Sequence, residues 1–281
     1  MKKKVVKNLT PRLRSAGQGK KDNKNMKVVI LAGGFGTRIS EETAIKPKPM
    51  VEIGDKPILW HIMKVYSHYG FNDFVICLGY KGHYIKEWFN NHFLHNSDFT
   101  INTEDGTITP HKTSGEKWKV TLVDTGHGTM TGGRIKRVKE HIGNNTFMMT
   151  YGDGVADIDI KKLVDFHKKN KKVATITSVY PEGRFGTIFS DDSFSVKSFS
   201  EKTDNKNRVN GGFFVFEPEI FKYIEGDDTI FEKGPLEKLA EENNLKAYHH
   251  DGFWRPMDTL HDKSKLEAMW NKGEAPWKVW E

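Results

Sequence analysis

From Met26 onward, short apolar runs alternate with stretches of helical period. The runs at 28–32, 74–78, 120–123, 146–151 and 173–179 have the length and near-continuous apolarity of strands covered on both faces. Between the first two, residues 57–69 place Ile58, Ile62, Val65, Tyr66 and Tyr69 on one helical face, with Pro57 at the start and Gly70 past the end. Helical spacing recurs at 83–93, 131–142 and 160–169. Strand and helix in alternation predict a parallel sheet with helices on both sides. After Pro181 the pattern changes: 187–199 alternates with period two around Asp191-Asp192, which predicts an antiparallel hairpin. A strand at 211–217 and helices near 230–243 and 262–272 follow. The fold class is therefore α/β: a Rossmann-like, mixed but mostly parallel sheet flanked by helices, with a smaller, partly antiparallel subdomain. The expected division is a folded domain over 26–281, in parts 26–180 and 181–281, preceded by a basic extension at 1–25.

Composition changes this picture only at the N-terminus. The chain has 281 residues and a formal net charge of +7. Residues 1–25 hold nine bases and one acid, so the rest of the chain carries a net charge of −1. A near-neutral folded part argues against a general nucleic-acid binder, which spreads Lys and Arg over a folded face. The extension lacks an apolar stretch long enough for a secretory signal and reads as disordered. No apolar run approaches the roughly 20 residues of a membrane span. The single cysteine, Cys77, lies in an apolar run and has no disulfide partner, as expected of a buried thiol in a reducing, cytoplasmic setting.

The strongest chemical signal follows the first strand: Leu31-Ala-Gly-Gly-Phe-Gly-Thr-Arg38, then Lys46-Pro-Lys-Pro-Met-Val51. Gly33, Gly34 and Gly36 let the backbone turn tightly with N–H groups toward an anion, while Arg38 and Lys48 add mobile positive charge. Together they predict a phosphate cradle. It is neither a dinucleotide fingerprint, since Ile39 stands where a third glycine belongs, nor a Walker A loop. Asp153 ends the run at 146–151 between Gly152 and Gly154, at the carboxyl edge where open α/β sheets bind ligands.

These motifs resemble the sugar-1-phosphate nucleotidyltransferases, and among them the branch that joins CTP to glucose 1-phosphate. Glu41-Glu-Thr43, Val51-Glu-Ile-Gly54, Lys56-Pro-Ile-Leu-Trp-His61, Asp124-Thr-Gly126, Met130-Thr-Gly-Gly-Arg134 and Tyr151-Gly-Asp-Gly-Val-Ala-Asp157 carry that closer likeness. Thymidylyl and uridylyl relatives usually have Pro-x-Gly-x-Ala where this chain has Thr131-Gly-Gly-Arg134. The resemblance implies in-line attack of the sugar phosphate on the α-phosphorus, with release of pyrophosphate. Positioning and charge neutralisation dominate such a reaction. It further implies Mg²⁺ held by Asp153 and Asp258, and Arg38, Lys48 and Asp153 as the catalytic set. Leu31, Ala32, Gly33, Gly34, Gly36, Thr37, Arg38, Lys48, Thr129, Arg134 and Gly152 would bind the nucleotide. Glu201, Lys202, Asn210 and Gly211 would bind the sugar phosphate, although Thr203 replaces the usual proline after Glu-Lys. Part 26–180 becomes the nucleotide side and 181–281 the sugar-phosphate side. A homo-oligomer, trimer or hexamer, is implied as well, with a product that feeds deoxysugar synthesis for surface polysaccharide.

Rival readings are the same chemistry with another base or hexose 1-phosphate, and a sugar-nucleotide-binding paralogue without turnover. His61, His68, His249 and His250 lack metal-ligand spacing and read as packing or surface residues. The final Ala275-Pro-Trp-Lys-Val-Trp-Glu281 is expected to pack on a neighbouring subunit.

Overall fold

The computed structural model describes residues 26–182, 187–190, 193, 195–200 and 207–281. Among them, seven strands form the central sheet: β1 Val28–Ala32, β2 Asp73–Leu78, β3 Lys119–Asp124, β4 Phe147–Tyr151, β5 Ala174–Val179, β6 Val209–Phe216 and β7 Leu245–His249. Their order across the sheet is β7-β5-β6-β4-β1-β2-β3. Every neighbouring pair is parallel except those of β6, which runs antiparallel to both β4 and β5. The sheet thus takes strands from both sides of residue 180. No helix among the described residues is long and apolar enough to cross a membrane.

The continuous apolarity of β1 has a direct cause. Val28, Ile30 and Ala32 enter one core layer, and Val29 and Leu31 the other, so no position faces water. In β2 the same alternation sends Phe74, Ile76 and Leu78 to the first layer and Val75 and Cys77 to the second. A slip of one residue would exchange the layers, and differently shaped neighbours pin the register.

Helix Ile58–His68 buries eight of its eleven residues, more than the single face its spacing predicts. The outer side is covered by the C-terminal segment, in which Ala275 and Trp277 are buried within this chain while Pro276, Lys278 and Glu281 stay exposed. Trp277 is fully buried in the chain's own core, stacks on Phe253 with ring centroids 5.5 Å apart, and donates its Nε1–H to Nδ1 of His61 at 3.3 Å. His61 Nε2 lies 2.9 Å from the Ile53 carbonyl, so the ring is neutral with its proton on Nε2. Burial pushes its pKa down to about 4.

The expected hairpin is present as Thr187–Ser190 paired antiparallel with Val196–Ser200. The helix expected over 131–142 is broken at Val138 into Thr131–Arg137 and Lys139–Ile142. A second hairpin, Ser97–Ile101 with Ile108–Thr113, carries no expectation from the sequence; its few large apolar residues, Phe99, Ile101 and Ile108, are exposed. The basic extension at 1–25 falls outside the described residues.

Candidate active site

Strand β1 is flanked by β2 on one side and β4 on the other, so the chain's progression across the sheet reverses between β1 and β4. Such a switch point leaves a crevice outside the carboxyl ends of the two strands. Strand β1 empties there into the glycine loop and β4 into Gly152-Asp153. Close approach explains Gly33 and Gly36. A Cβ on Gly33 would lie 2.2 Å from Arg134 Nη1, and one on Gly36 would lie 2.7 Å from the Thr43 methyl. Gly36 also has φ 65°, a left-handed conformation that starts the turn Thr37–Ile39 bearing Arg38.

Asp153 and Asp258 are brought together by a pairing that apolar runs do not announce. Gly154–Ala156, just after Asp153, pairs antiparallel with Trp254–Pro256, just before Asp258. The Met257 N–H then donates to the Asp153 carbonyl at 2.8 Å. Lys48 Nζ sits between the two carboxylates, 2.7 Å from Asp153 Oδ2 and 2.7 Å from Asp258 Oδ1. Arg38 Nη1 reaches Asp258 Oδ2 at 2.8 Å. Burial alone would pull the Lys48 ammonium down, but Asp153 and Asp258 outweigh it and hold the pKa above the ordinary lysine value.

Two carboxylates within one ammonium's reach are a donor set suited to Mg²⁺, which takes one or two protein carboxylates and completes its shell with phosphate oxygens and water. No group of three or more His, Cys, Asp or Glu among the described residues could form a protein-only cage.

Two hollows meet at this cluster. The first, about 360 Å³, is lined by Leu31, Ala32, Gly33, Gly34, Gly36, Thr37, Arg38, Lys48, Thr129, Arg134 and Gly152, which is every residue expected on the nucleotide side. Phe35 stands at its mouth, exposed, with ring centroids 5.4 Å from Tyr80 and 5.0 Å from His127. The second, about 350 Å³, is lined by Asn210 and Gly211 together with Tyr151, Glu232, Trp254 and Asp258. Arg38, Tyr151 and Asp153 line both. Glu201 and Lys202 lie outside the described residues.

Arg134 needs a more specific description than a ligand contact. Its Nη1 donates to the Leu78 carbonyl (3.0 Å), Thr125 Oγ1 (2.8 Å) and the Gly126 carbonyl (2.9 Å), and its Nη2 to the Gly33 carbonyl (3.1 Å). A buried guanidinium thus ties the glycine loop to the loops after β2 and β3. Tyr151, Glu232 and Trp254 escaped the sequence reading as site residues. Tyr151 stood inside a quoted motif, whereas Glu232 sits in a stretch with no motif at all.

A match to the nucleotidyl transferase family runs from residue 27 to residue 268. The chain belongs to that family. The glucose-1-phosphate cytidylyltransferase of Salmonella typhi is 55% identical over 258 residues, covering 91% of this chain and 100% of that protein. The probable glucose-1-phosphate cytidylyltransferase of Bacillus subtilis (strain 168) is 44% identical over 256 residues, again 91% of this chain and 100% of that protein. Among solved structures, HddC from Yersinia pseudotuberculosis superimposes with a TM-score of 0.64 at 25% identity, over 87% of this chain and 99% of that one. A UDP-glucose pyrophosphorylase complexed with UDP-glucose shares the fold, with a TM-score of 0.64 at 17% identity over 88% of this chain and 99% of that one. Nucleotidyl transferases generally use a divalent metal.

Proposed function

We propose that the protein is a glucose-1-phosphate cytidylyltransferase, which transfers the cytidylyl group of CTP to α-D-glucose 1-phosphate and releases pyrophosphate and CDP-glucose. Its main support is the 55% identity to the Salmonella typhi enzyme along that protein's whole length. The first hollow takes CTP, with the triphosphate on the N–H groups of the loop 33–37 and the side chains of Arg38 and Lys48. The second takes glucose 1-phosphate. A phosphate oxygen of the sugar forms a bond to the α-phosphorus as the bond to the β-phosphate oxygen breaks on the opposite side.

Two anions must approach each other, so the cations of the chain carry much of the work. Lys48 and Arg38 stand at the junction of the hollows and offset phosphate charge there. Arg134 acts through the loops it ties together and keeps the N–H groups of the cradle in place. Thr129 lines the same hollow and contributes to the nucleotide side. Asp153 and Asp258 would hold Mg²⁺, which would supply positive charge to neutralise the phosphates. Glu201 and Lys202 are proposed for the sugar phosphate on the family resemblance, with Asn210 and Gly211 on the wall of the second hollow.

The nucleotide side comprises 26–180 and the sugar-phosphate side 181–281. A homo-oligomer, trimer or hexamer, a cytoplasmic location and a role in deoxysugar supply for surface polysaccharide complete the proposal. The test is pyrophosphate release with glucose 1-phosphate and each of the four ribonucleoside triphosphates. CTP should be the preferred donor, and UTP used equally well would overturn the assignment of the base.

A further inference from the structure

The second hollow holds three carboxylates, and one of them has no part in the metal and phosphate chemistry. Asp153 and Asp258 are engaged by Lys48. Among the described residues, Glu232 is engaged by hydroxyl groups: Thr131 Oγ1 donates to its Oε2 at 2.7 Å, and the Tyr151 phenol donates to its Oε1 at 2.5 Å. It is anchored by its neighbour Phe231, which is fully buried against Phe214 and Phe216 with ring centroids 6.0 and 5.3 Å away.

The direction of each hydrogen bond around Glu232 is fixed by its neighbours. The Gly212 N–H donates to Asn210 Oδ1 at 2.8 Å, which turns the Asn210 amide so that Nδ2 faces the Tyr151 oxygen at 3.3 Å. The phenol oxygen therefore accepts from Asn210, and its own proton goes to Glu232. Likewise the Phe231 N–H occupies Thr131 Oγ1 at 2.9 Å, and the threonine proton goes to Glu232. Among the described residues each carboxylate oxygen of Glu232 has spent one lone pair and keeps another, and the side chain lines the hollow. Asn210, on the same wall, keeps one amide hydrogen among the described residues. An acceptor with two oxygens beside a spare donor matches a pyranose ring, whose adjacent hydroxyl groups donate and accept in turn.

We propose that Glu232 reads ring hydroxyl groups of the sugar 1-phosphate, held at the correct angle by Thr131 and Tyr151. This rests on the reading of the second hollow as the sugar-phosphate seat. It makes Glu232 a specificity residue for the acceptor substrate, at a position no sequence motif marks.

The test uses the full-length enzyme and Glu232→Gln, which keeps the shape and removes the charge. A hydrogen bond to a charged acceptor is worth about a tenfold to hundredfold change in affinity. The KM for glucose 1-phosphate should therefore rise by about that factor, while the KM for CTP changes by less than about twofold. A panel of singly deoxygenated glucose 1-phosphates supplies the second readout. With the unaltered enzyme, removing a hydroxyl that Glu232 reads should lower kcat/KM about tenfold or more; with Glu232→Gln the same removal should cost little further. If Glu232→Gln does not fold, Tyr151→Phe, which cuts one bond to the carboxylate, should raise the glucose 1-phosphate KM by a smaller factor and soften the same deoxy penalty. Equal deoxy penalties in enzyme and variants at every ring position would overturn the proposal. An unaltered enzyme that accepts no sugar 1-phosphate would instead overturn the reading of the hollow itself.

Discussion

Replacing Lys48 by methionine keeps most of the side chain's volume and removes the charge shared by two carboxylates. The Lys48 side chain is 10% exposed, Asp258 10% and Asp153 30%. Deleting one partner of a buried ion pair costs about 3–5 kcal/mol. Two features reduce that figure here: Asp258 retains Arg38 at 2.8 Å, and Asp153 reaches solvent. A loss of about 2 kcal/mol remains, which for a chain of this size lowers Tm by about 4 °C. Because the Lys48 pKa is raised, its stabilising effect is complete below the unfolded value of 10.5 and is lost only as pH rises through the higher folded value. Thermal unfolding at pH 8 in EDTA therefore measures it in full. Turnover should fall at least about a hundredfold with the same substitution. Millimolar Mg²⁺ should raise the Tm of Lys48→Met more than that of the unaltered protein, since the two carboxylates then have no competing ammonium. An unchanged Tm in EDTA would show that Lys48 does not bridge Asp153 and Asp258, and the charge cluster would have to be redrawn.

Gly33→Ala forces a methyl group to within 2.2 Å of the buried Arg134 guanidinium, so the loop must move; it should lose about 1–3 kcal/mol together with affinity for CTP. Gly34→Ala meets nothing within 4 Å and should leave Tm nearly unchanged in the same melting experiment. His61 titrates at about 4 when folded against an ordinary value of 6.5, so the unfolded chain binds the extra proton between those values. Stability should be complete above pH 6.5 and fall by about 3 kcal/mol on acidification to pH 4; denaturant midpoints that stay level across that window would contradict a buried neutral His61.

Much of the site was legible because the phosphate cradle is local. The glycines, Arg38 and Lys48 occupy one β-to-α connection, and their chemistry follows from spacing alone. Asp153 was legible for the same reason, as the residue that ends an apolar strand. Asp258 was not. Its approach depends on the three-residue pairing of Gly154–Ala156 with Trp254–Pro256, too short to leave a periodic trace, and only the family resemblance pointed to it. Glu232 was hidden for a related reason, since its place is set by Phe231 entering the core rather than by any polar pattern. In the fold, the buried strands were the clearest elements, because burial on both faces demands unbroken apolarity. The C-terminal tryptophans were less legible: an apolar tail fits a neighbour's surface and its own core equally well on composition, and the His61–Trp277 contact shows that Trp277 enters the core of its own chain.

The most direct measurement is the rate of CDP-glucose formation from CTP and glucose 1-phosphate by the protein and by Asp153→Asn, followed by ³¹P NMR in the presence of Mg²⁺. The unaltered protein should accumulate CDP-glucose and pyrophosphate in equal amounts, and the variant should be slower by at least about a hundredfold. A variant that forms CDP-glucose at the unaltered rate would contradict the placing of the chemistry between Asp153, Asp258 and Lys48.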